Sequence, residues 1–231
     1  MLLDVNDLTK IYGKTIALDG LCLHLRKGRI IGLLGPNGSG KTTLLKTVAG
    51  LLQPTSGEVT VNGIPVGEKT KSLVSFLPER TYLASNMKVC ETLSFFEDFY
   101  SDFDRSRAEK MLSVLGVGAD RRFGELSKGT REKVQLVLVM SRRAELYLLD
   151  EPIGGVDPAT REFIMNTVLK NFNENSSIVI STHLIRDVEE ILDDYAFIAN
   201  GRILEFGSVK ERKEETGLTL DELFREEFRC Y

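Results

Sequence analysis

A run of nine residues, Gly35, Pro36, Asn37, Gly38, Ser39, Gly40, Lys41, Thr42 and Thr43, narrows the possible folds more than any other stretch of the chain. Just before it, Ile30, Ile31, Leu33 and Leu34 make the short apolar run of a strand buried on both faces of a parallel sheet. Just after it, Leu44, Leu45, Val48 and Leu52 share one helical face and leave Lys46 outside. The order is strand, loop, helix. In that order the glycines let successive backbone N–H groups converge on a phosphate, while the helix opening at Lys41 aims its positive dipole end at the same point. Lys41 supplies a flexible point charge for the outer phosphates of a nucleotide, and the Thr42 hydroxyl is placed to ligate Mg²⁺.

Size and charge bound the rest. At 231 residues the chain is one large domain or two joined subdomains, and a formal net charge of −4 argues against a nucleic-acid partner held by a broad basic face. Asp4 interrupts the start where a secretory signal needs apolar residues, and no run approaches the roughly eighteen apolar residues of a membrane span. The expectation is a cytosolic chain that does not itself cross a bilayer. Cys22, Cys90 and Cys230 are scattered without a CxxC pair, so reduced thiols are expected rather than a disulfide framework or a zinc site.

In chain order, Leu21, Leu23 and Leu25 alternate with Cys22, His24 and Arg26, the pattern of a half-buried antiparallel strand with His24 on its polar side. Residues 58–64 add a strand ending in an Asn62-Gly63 turn and are assigned to the same layer. Residues 72–77 read as a buried strand stopped by Pro78. Phe95, Phe96, Phe99, Tyr100 and Phe103 then crowd together at helical spacing, and Met111, Leu112 and Leu115 mark a second helix closed by Gly116. This predicts a helical insertion over about 80–142. Ser127 is a suitable N-cap for a helix carried by Val134 and Leu138, and Asp157-Pro158 opens another with Phe163, Ile164, Val168 and Leu169 as its apolar face. Residues 146–149 and 178–180 are further buried strands. Leu184, Ile185, Val188, Ile191 and Leu192 predict a helix, and residues 195–198 and 202–206 two last strands about the Asn200-Gly201 turn. The domain is expected to span 1–208. The tail, 209–231, is charged, with a capping box at Thr219 and Glu222 before a short helix.

Apolar strands alternating with helices specify a mostly parallel α/β sheet covered on both faces, with an antiparallel β subdomain and the helical insertion beside it. Ligands bind such sheets at the carboxyl ends of the strands, where the sequence puts the phosphate loop, Glu79, Asp150, Glu151 and His183. Asp150 suits a magnesium-orienting acid and Glu151 a base for an attacking water. Solvated turn residues are the competing explanation, and the phosphate loop in the same chain weighs against it. His183 alone is uninformative; its place beyond a strand end of the same sheet suggests that it reads the γ-phosphate.

These residues together resemble the ATP-binding subunit of an ABC transporter over residues 3–207. The phosphate loop, a P-loop or Walker A motif, matches from Gly35 to Thr43, and residues 146–151 are similar to the Walker B segment. Leu126, Ser127, Lys128, Gly129 and Thr130 sit where the family has its LSGGQ signature. Gly154, Gly155, Val156 and Asp157 resemble the D-loop, and Ser181, Thr182 and His183 the switch histidine. The resemblance implies that Tyr12 stacks on adenine and that Glu79 occupies the Q-loop position beside Mg²⁺. It implies a head-to-tail dimer, homomeric or heteromeric, in which the phosphate loop of one copy and Ser127, Lys128 and Gly129 of the other enclose ATP. It also implies a separate integral membrane permease subunit, which would hold the chain on the inner face of the cell membrane. Three departures stand out: Lys128 and Thr130 in the signature, Glu79 for the usual glutamine, and Gly154 for a D-loop serine. The LSKGT form with an acid at the Q-loop is closest in pattern to ABC-2-type exporter ATPases. Competing readings are a soluble ABC ATPase acting on DNA repair or translation, and a regulatory subunit that binds nucleotide but hydrolyses it poorly.

Overall fold

The computed structural model describes residues 1–228, so Cys230 lies outside the described residues. Strands β1 (Leu3–Tyr12) and β2 (Thr15–Leu25) pair antiparallel, with Leu21, Leu23 and Leu25 buried and Cys22 and His24 exposed, as the alternation predicts. His24 pairs with Asp4 at 3.1 Å on that polar side. The chain then crosses to β3 (Ile30–Leu34) and α1 (Lys41–Val48), and returns through β4 (Ser56–Val61) and β5 (Ile64–Pro65) to complete a sheet of order β2-β1-β4-β5. Asn62 and Gly63 both take positive φ, 55° and 73°, which is what a tight hairpin turn requires.

Strand β6 (Val74–Leu77) starts later than the sequence suggests, because residues 69–72 form a 3₁₀ turn. Next comes the insertion, with α2 (Val89–Phe99), α3 (Arg105–Val114) and α4 (Lys128–Met140) around their own small core of Val89, Leu93, Phe96, Leu112, Phe123 and Val134. Phe103 falls outside α2 and packs on Phe96 from the loop. The chain rejoins the sheet at β7 (Leu146–Asp150), followed by α5 (Pro158–Asn171) and β8 (Ser177–Thr182). Ile164 and Val168 of α5 are buried, whereas Leu169, expected on the same face, is 47% exposed.

Residues 184–192 do not form the expected α-helix; two 3₁₀ turns, Ile185–Asp187 and Glu189–Ile191, carry them into β9 (Asp194–Ala199) and the edge strand β10 (Arg202–Ser208). The main sheet has the order β10-β9-β3-β8-β7-β6, parallel except for β10. The fold class is therefore the expected one: a mostly parallel core sheet, an antiparallel sheet and a helical insertion. Among the described residues the tail holds two helices where the capping box marks one. Helix α6 (Val209–Thr216) is followed by α7 (Leu220–Glu227), whose Leu220, Leu223 and Phe224 join the core beside Phe197. No helix among the described residues is long and apolar enough to cross a membrane.

Candidate functional site

Strand β3 is buried at every residue, so the loop leaving it is anchored at a fixed point of the sheet. Gly35 must be glycine: a Cβ there would collide with the Ile198 carbonyl and lie 2.7 Å from Ser39 Oγ. Gly40, the N-cap of α1, has φ +111° and offers no side chain, so the first helical N–H groups face the loop cavity unobstructed. Lys41 is almost wholly buried. Its ammonium donates to the carbonyls of Gly35 (2.7 Å) and Pro36 (3.1 Å) and stands 3.4 Å from Glu151 Oε1. Ser39 Oγ is buried with no hydrogen-bond partner in the structure, an orphan that a phosphate oxygen would satisfy.

Strand register builds the acidic wall. Asp150 pairs with Ser181 across β7 and β8, and Ser181 Oγ donates to Asp150 Oδ1 at 2.7 Å. Thr42 Oγ1 donates to the same oxygen at 3.0 Å, which ties the phosphate loop to β7. Burial pushes the Asp150 carboxyl above the usual carboxylate range; the Ser181 and Thr42 hydrogen bonds pull it back, and the charges of Glu79 and Glu151 push it further up. Asp150 Oδ2 is buried and unpartnered. A hard divalent cation takes oxygen ligands, so this orphan carboxylate oxygen beside the Thr42 hydroxyl fits Mg²⁺.

Glu151 adopts φ 47°, unusual for a residue with a side chain, and its N–H donates to both the carbonyl and the hydroxyl of Ser181, each at 3.1 Å. That turn sends its carboxylate to His183 Nδ1, 3.1 Å away, and toward Lys41. His183 and the loop lysine Lys41 thus meet at the Glu151 carboxylate.

A cavity of about 890 Å³ opens over this cluster. Its lining includes Asn37, Gly38, Ser39, Gly40, Lys41, Thr42, Thr43, Glu79, Glu151 and His183 from the strand ends, and Lys128, Arg131 and Gln135 from α4. Gly35 and Pro36 lie behind the loop, where their carbonyls hold Lys41. Besides Asp150, Gly35 and Pro36, four candidate residues stand outside that lining. Tyr12, 45% exposed at the end of β1, carries the Lys10 ammonium 5.2 Å over its ring. Ser127 caps α4 by accepting from Thr130 N at 3.2 Å. Asp157 caps α5 by accepting from Thr160 N and Oγ1, and those bonds hold its carboxyl below the usual range. A Cβ on Gly129 would lie 3.0 Å from Thr160 Oγ1, so the signature packs tightly on the start of α5.

Sequence reasoning missed two sets of residues. Ser181, which holds both acids, was visible only as the small polar residue preceding Thr182 and His183. Arg131, Glu132 and Gln135 form the far wall; their signal was three polar residues at i, i+1 and i+4 on a helix otherwise read for its apolar stripe.

Comparison with known proteins bears directly on this geometry. The family model described as ABC transporter matches residues 18–154, more than half of the chain. The uncharacterized ABC transporter ATP-binding protein YhaQ of Bacillus subtilis is 32% identical, over 94% of this chain and 74% of its own length. The bacitracin transport ATP-binding protein BcrA of Enterococcus faecalis is 33% identical, over 90% of this chain and 70% of its own. A solved structure of the ATP-binding subunit of an ABC transporter superposes with a TM-score of 0.86 at 26% identity, covering 98% of this chain and 99% of that one. With the phosphate loop, paired acids and histidine gathered at the strand ends as described, this chain belongs to the ABC transporter family, as an ATP-binding subunit.

Proposed function

We propose that this subunit hydrolyses ATP and energises export through a separate integral membrane subunit, two cassettes closing head to tail on two nucleotides. The observation that carries the reading is the meeting of Glu151, His183 and Lys41 at one carboxylate beside the Thr42–Asp150 pair. Glu151 is placed to take a proton from an attacking water, His183 to orient that carboxylate and read the γ-phosphate, and Lys41 to neutralise the outer phosphates. Magnesium, when bound, would be held by Thr42 and Asp150, with Glu79 near, and would offset phosphate charge. Tyr12 is the proposed adenine platform.

Ser127, Gly129 and Asp157 stand outside the lining of the chain's own nucleotide cavity, which supports their serving the nucleotide of a second copy, homomeric or heteromeric; Lys128, expected to act with them, lines the cavity of its own copy. A second groove of about 800 Å³, with Leu51, Tyr82, Phe95 and Phe99 on its walls, supports docking of the membrane subunit. The rings of Phe95 and Phe99 lie 4.5 Å apart, tilted by 34°, and both are exposed. The LSKGT signature pattern with Glu79 at the Q-loop position supports export, and the name of a relative, the bacitracin transport ATP-binding protein, supports transport. The location follows from the partner: the cytoplasmic face of the cell membrane.

Steady-state ATP turnover tests the reading. The wild type should hydrolyse ATP, Glu151→Gln should bind ATP and dimerise without turnover, and Lys41→Ala should lose nucleotide binding. Tight ATP affinity in Lys41→Ala would refute the site, and dimerisation in ATP with a wild type that does not turn over would favour the regulatory reading. Glu79 gives that alternative its footing, since its charge adds to the acidic wall. Co-purification with a multi-span membrane protein tests the transport role, and retention on ribosomes or DNA would overturn it.

A further inference from the structure

Adjoining the nucleotide cavity, and sharing Glu79, Glu132, Gln135, Glu151 and Gly154 with it, lies a much smaller space. It measures about 30 Å³ and is walled by Glu79, Asp150, Glu151 and Gly154 on the strand side and by Glu132 and Gln135 on α4. Gln135 is 4% exposed, and its Nε2 has no hydrogen-bond partner. Glu132 Oε2 is likewise buried and unpartnered. Buried polar atoms in native proteins find partners, so whatever fills this space must both accept a hydrogen bond from an amide and donate one to a carboxylate. A bare cation cannot accept from Gln135. An anion is repelled by the carboxylates around it. The volume exceeds the roughly 10–15 Å³ that a water needs, and a polar lining with at least two partners is what a buried water requires.

We infer that the cavity between α4 and the carboxyl ends of β6 and β7 holds one ordered water that bridges Gln135 Nε2 and Glu132 Oε2 of the signature helix to the orphan Asp150 Oδ2 on the strand side, making Gln135 a positioning residue for the acid wall that carries Glu151. A shift of α4 moves its Gln135 end, and the bridge carries that shift to the segment bearing Glu151. The kinetic half of this inference rests on the ATPase reading; the site itself does not.

High-resolution crystallography of the full chain tests the site: a single peak is expected at about 2.7–3.2 Å from Gln135 Nε2, Glu132 Oε2 and Asp150 Oδ2, and a peak that contacts α4 alone would overturn the bridge. An empty cavity, or an ion coordinated by oxygens alone, would overturn it. For the coupling, Gln135→Leu removes the polar arm and Gln135→Glu keeps its size while removing the donor. Each is expected to lower kcat about tenfold while KM for ATP stays within about twofold. Full kcat in either folded variant, or a rise in KM alone, would overturn the positioning role. The two readings fail separately: a dry cavity in an active wild type removes the bridge only, whereas a filled cavity in a wild type without turnover removes the ATPase reading and leaves the water site.

Discussion

Ser181→Ala isolates the contact that holds the acidic wall together. The hydroxyl is fully buried, donates to Asp150 Oδ1 at 2.7 Å and accepts from Glu151 N at 3.1 Å. The Glu151 N–H keeps the Ser181 carbonyl as an acceptor, so the loss falls on Asp150, which retains only the Thr42 donor at 3.0 Å. A hydrogen bond to a charged group contributes about 1.5–3 kcal/mol, and the alanine leaves almost no cavity, so the variant should lose about 2 kcal/mol of stability. For a chain of this size that lowers Tm by about 4–8 °C. If the same hydroxyl also fixes the Glu151 turn, ATP turnover should fall about tenfold or more with the protein still folded. Urea melts and steady-state hydrolysis measure both. Thr42→Val supplies the control, because the two hydroxyls share one oxygen and their double mutant should be non-additive. A stability change under about 0.5 kcal/mol with unaltered turnover would refute the argument.

Arg142 buries its guanidinium against the carbonyls of Val74, Lys71 and Ser72, pairs with Asp102 and lies 3.9 Å over the Tyr100 ring. Arg142→Met should therefore cost about 3 kcal/mol, read by chemical denaturation, and loosen the insertion from β6, read by amide exchange in α2 and α3. Tyr195 donates to Glu205 at 2.6 Å, and burial with that neighbour raises the phenol well above its ordinary value of 10.0. With the folded pKa raised, the contribution is complete below the ordinary tyrosine value and is lost as pH climbs past it. Wild-type stability should fall above about pH 10, and Tyr195→Phe should flatten that fall in melts across the alkaline range. Gly35→Ala should abolish ATP binding by isothermal calorimetry, since its methyl group meets the Ile198 carbonyl and Ser39 Oγ; retained binding would show that the loop can reshape.

The parts legible in the sequence are those in which local chemistry and burial agree. Strands β3, β7 and β8 are buried at every residue, and each is read from a short apolar run, 30–34, 146–149 and 178–180. Ser127, Asp157 and Thr219 cap the helices they announce. Residues 184–192 misled because apolar residues three and four apart suit a 3₁₀ turn as well as an α-helix. What decides between them is non-local. Leu184 N is held by Thr182 Oγ1, Asp187 by Arg161 at 2.6 Å, and the chain must reach β9 beside β3 within a few residues. Helix α6 has no buried residue and hence no apolar stripe to announce it; only Ser208 before it and Gly217, at φ 71°, mark its ends. Gln135 was invisible for another reason. Its importance comes from lying opposite Glu151, and helix periodicity carries no record of which strand end a helix faces.

The candidate site depends on sheet register as much as on residue identity. Strand order β3-β8-β7 sets the phosphate loop beside the end of β8, and the end of β8 beside the acids of β7. Leu34 pairs with Thr182, and Asp150 with Ser181, so the loop, His183 and Glu151 leave the sheet within one residue of a common level. Side chains alternate faces along a strand, so a one-residue slip of β7 would turn Asp150 away from Thr42 and Ser181 and drive it into the apolar layer beneath. The apolar runs resist that slip, since no residue within β3 or β7 is exposed. The burial that makes these strands plain in the sequence is thus the same force that holds the acids opposite the phosphate loop.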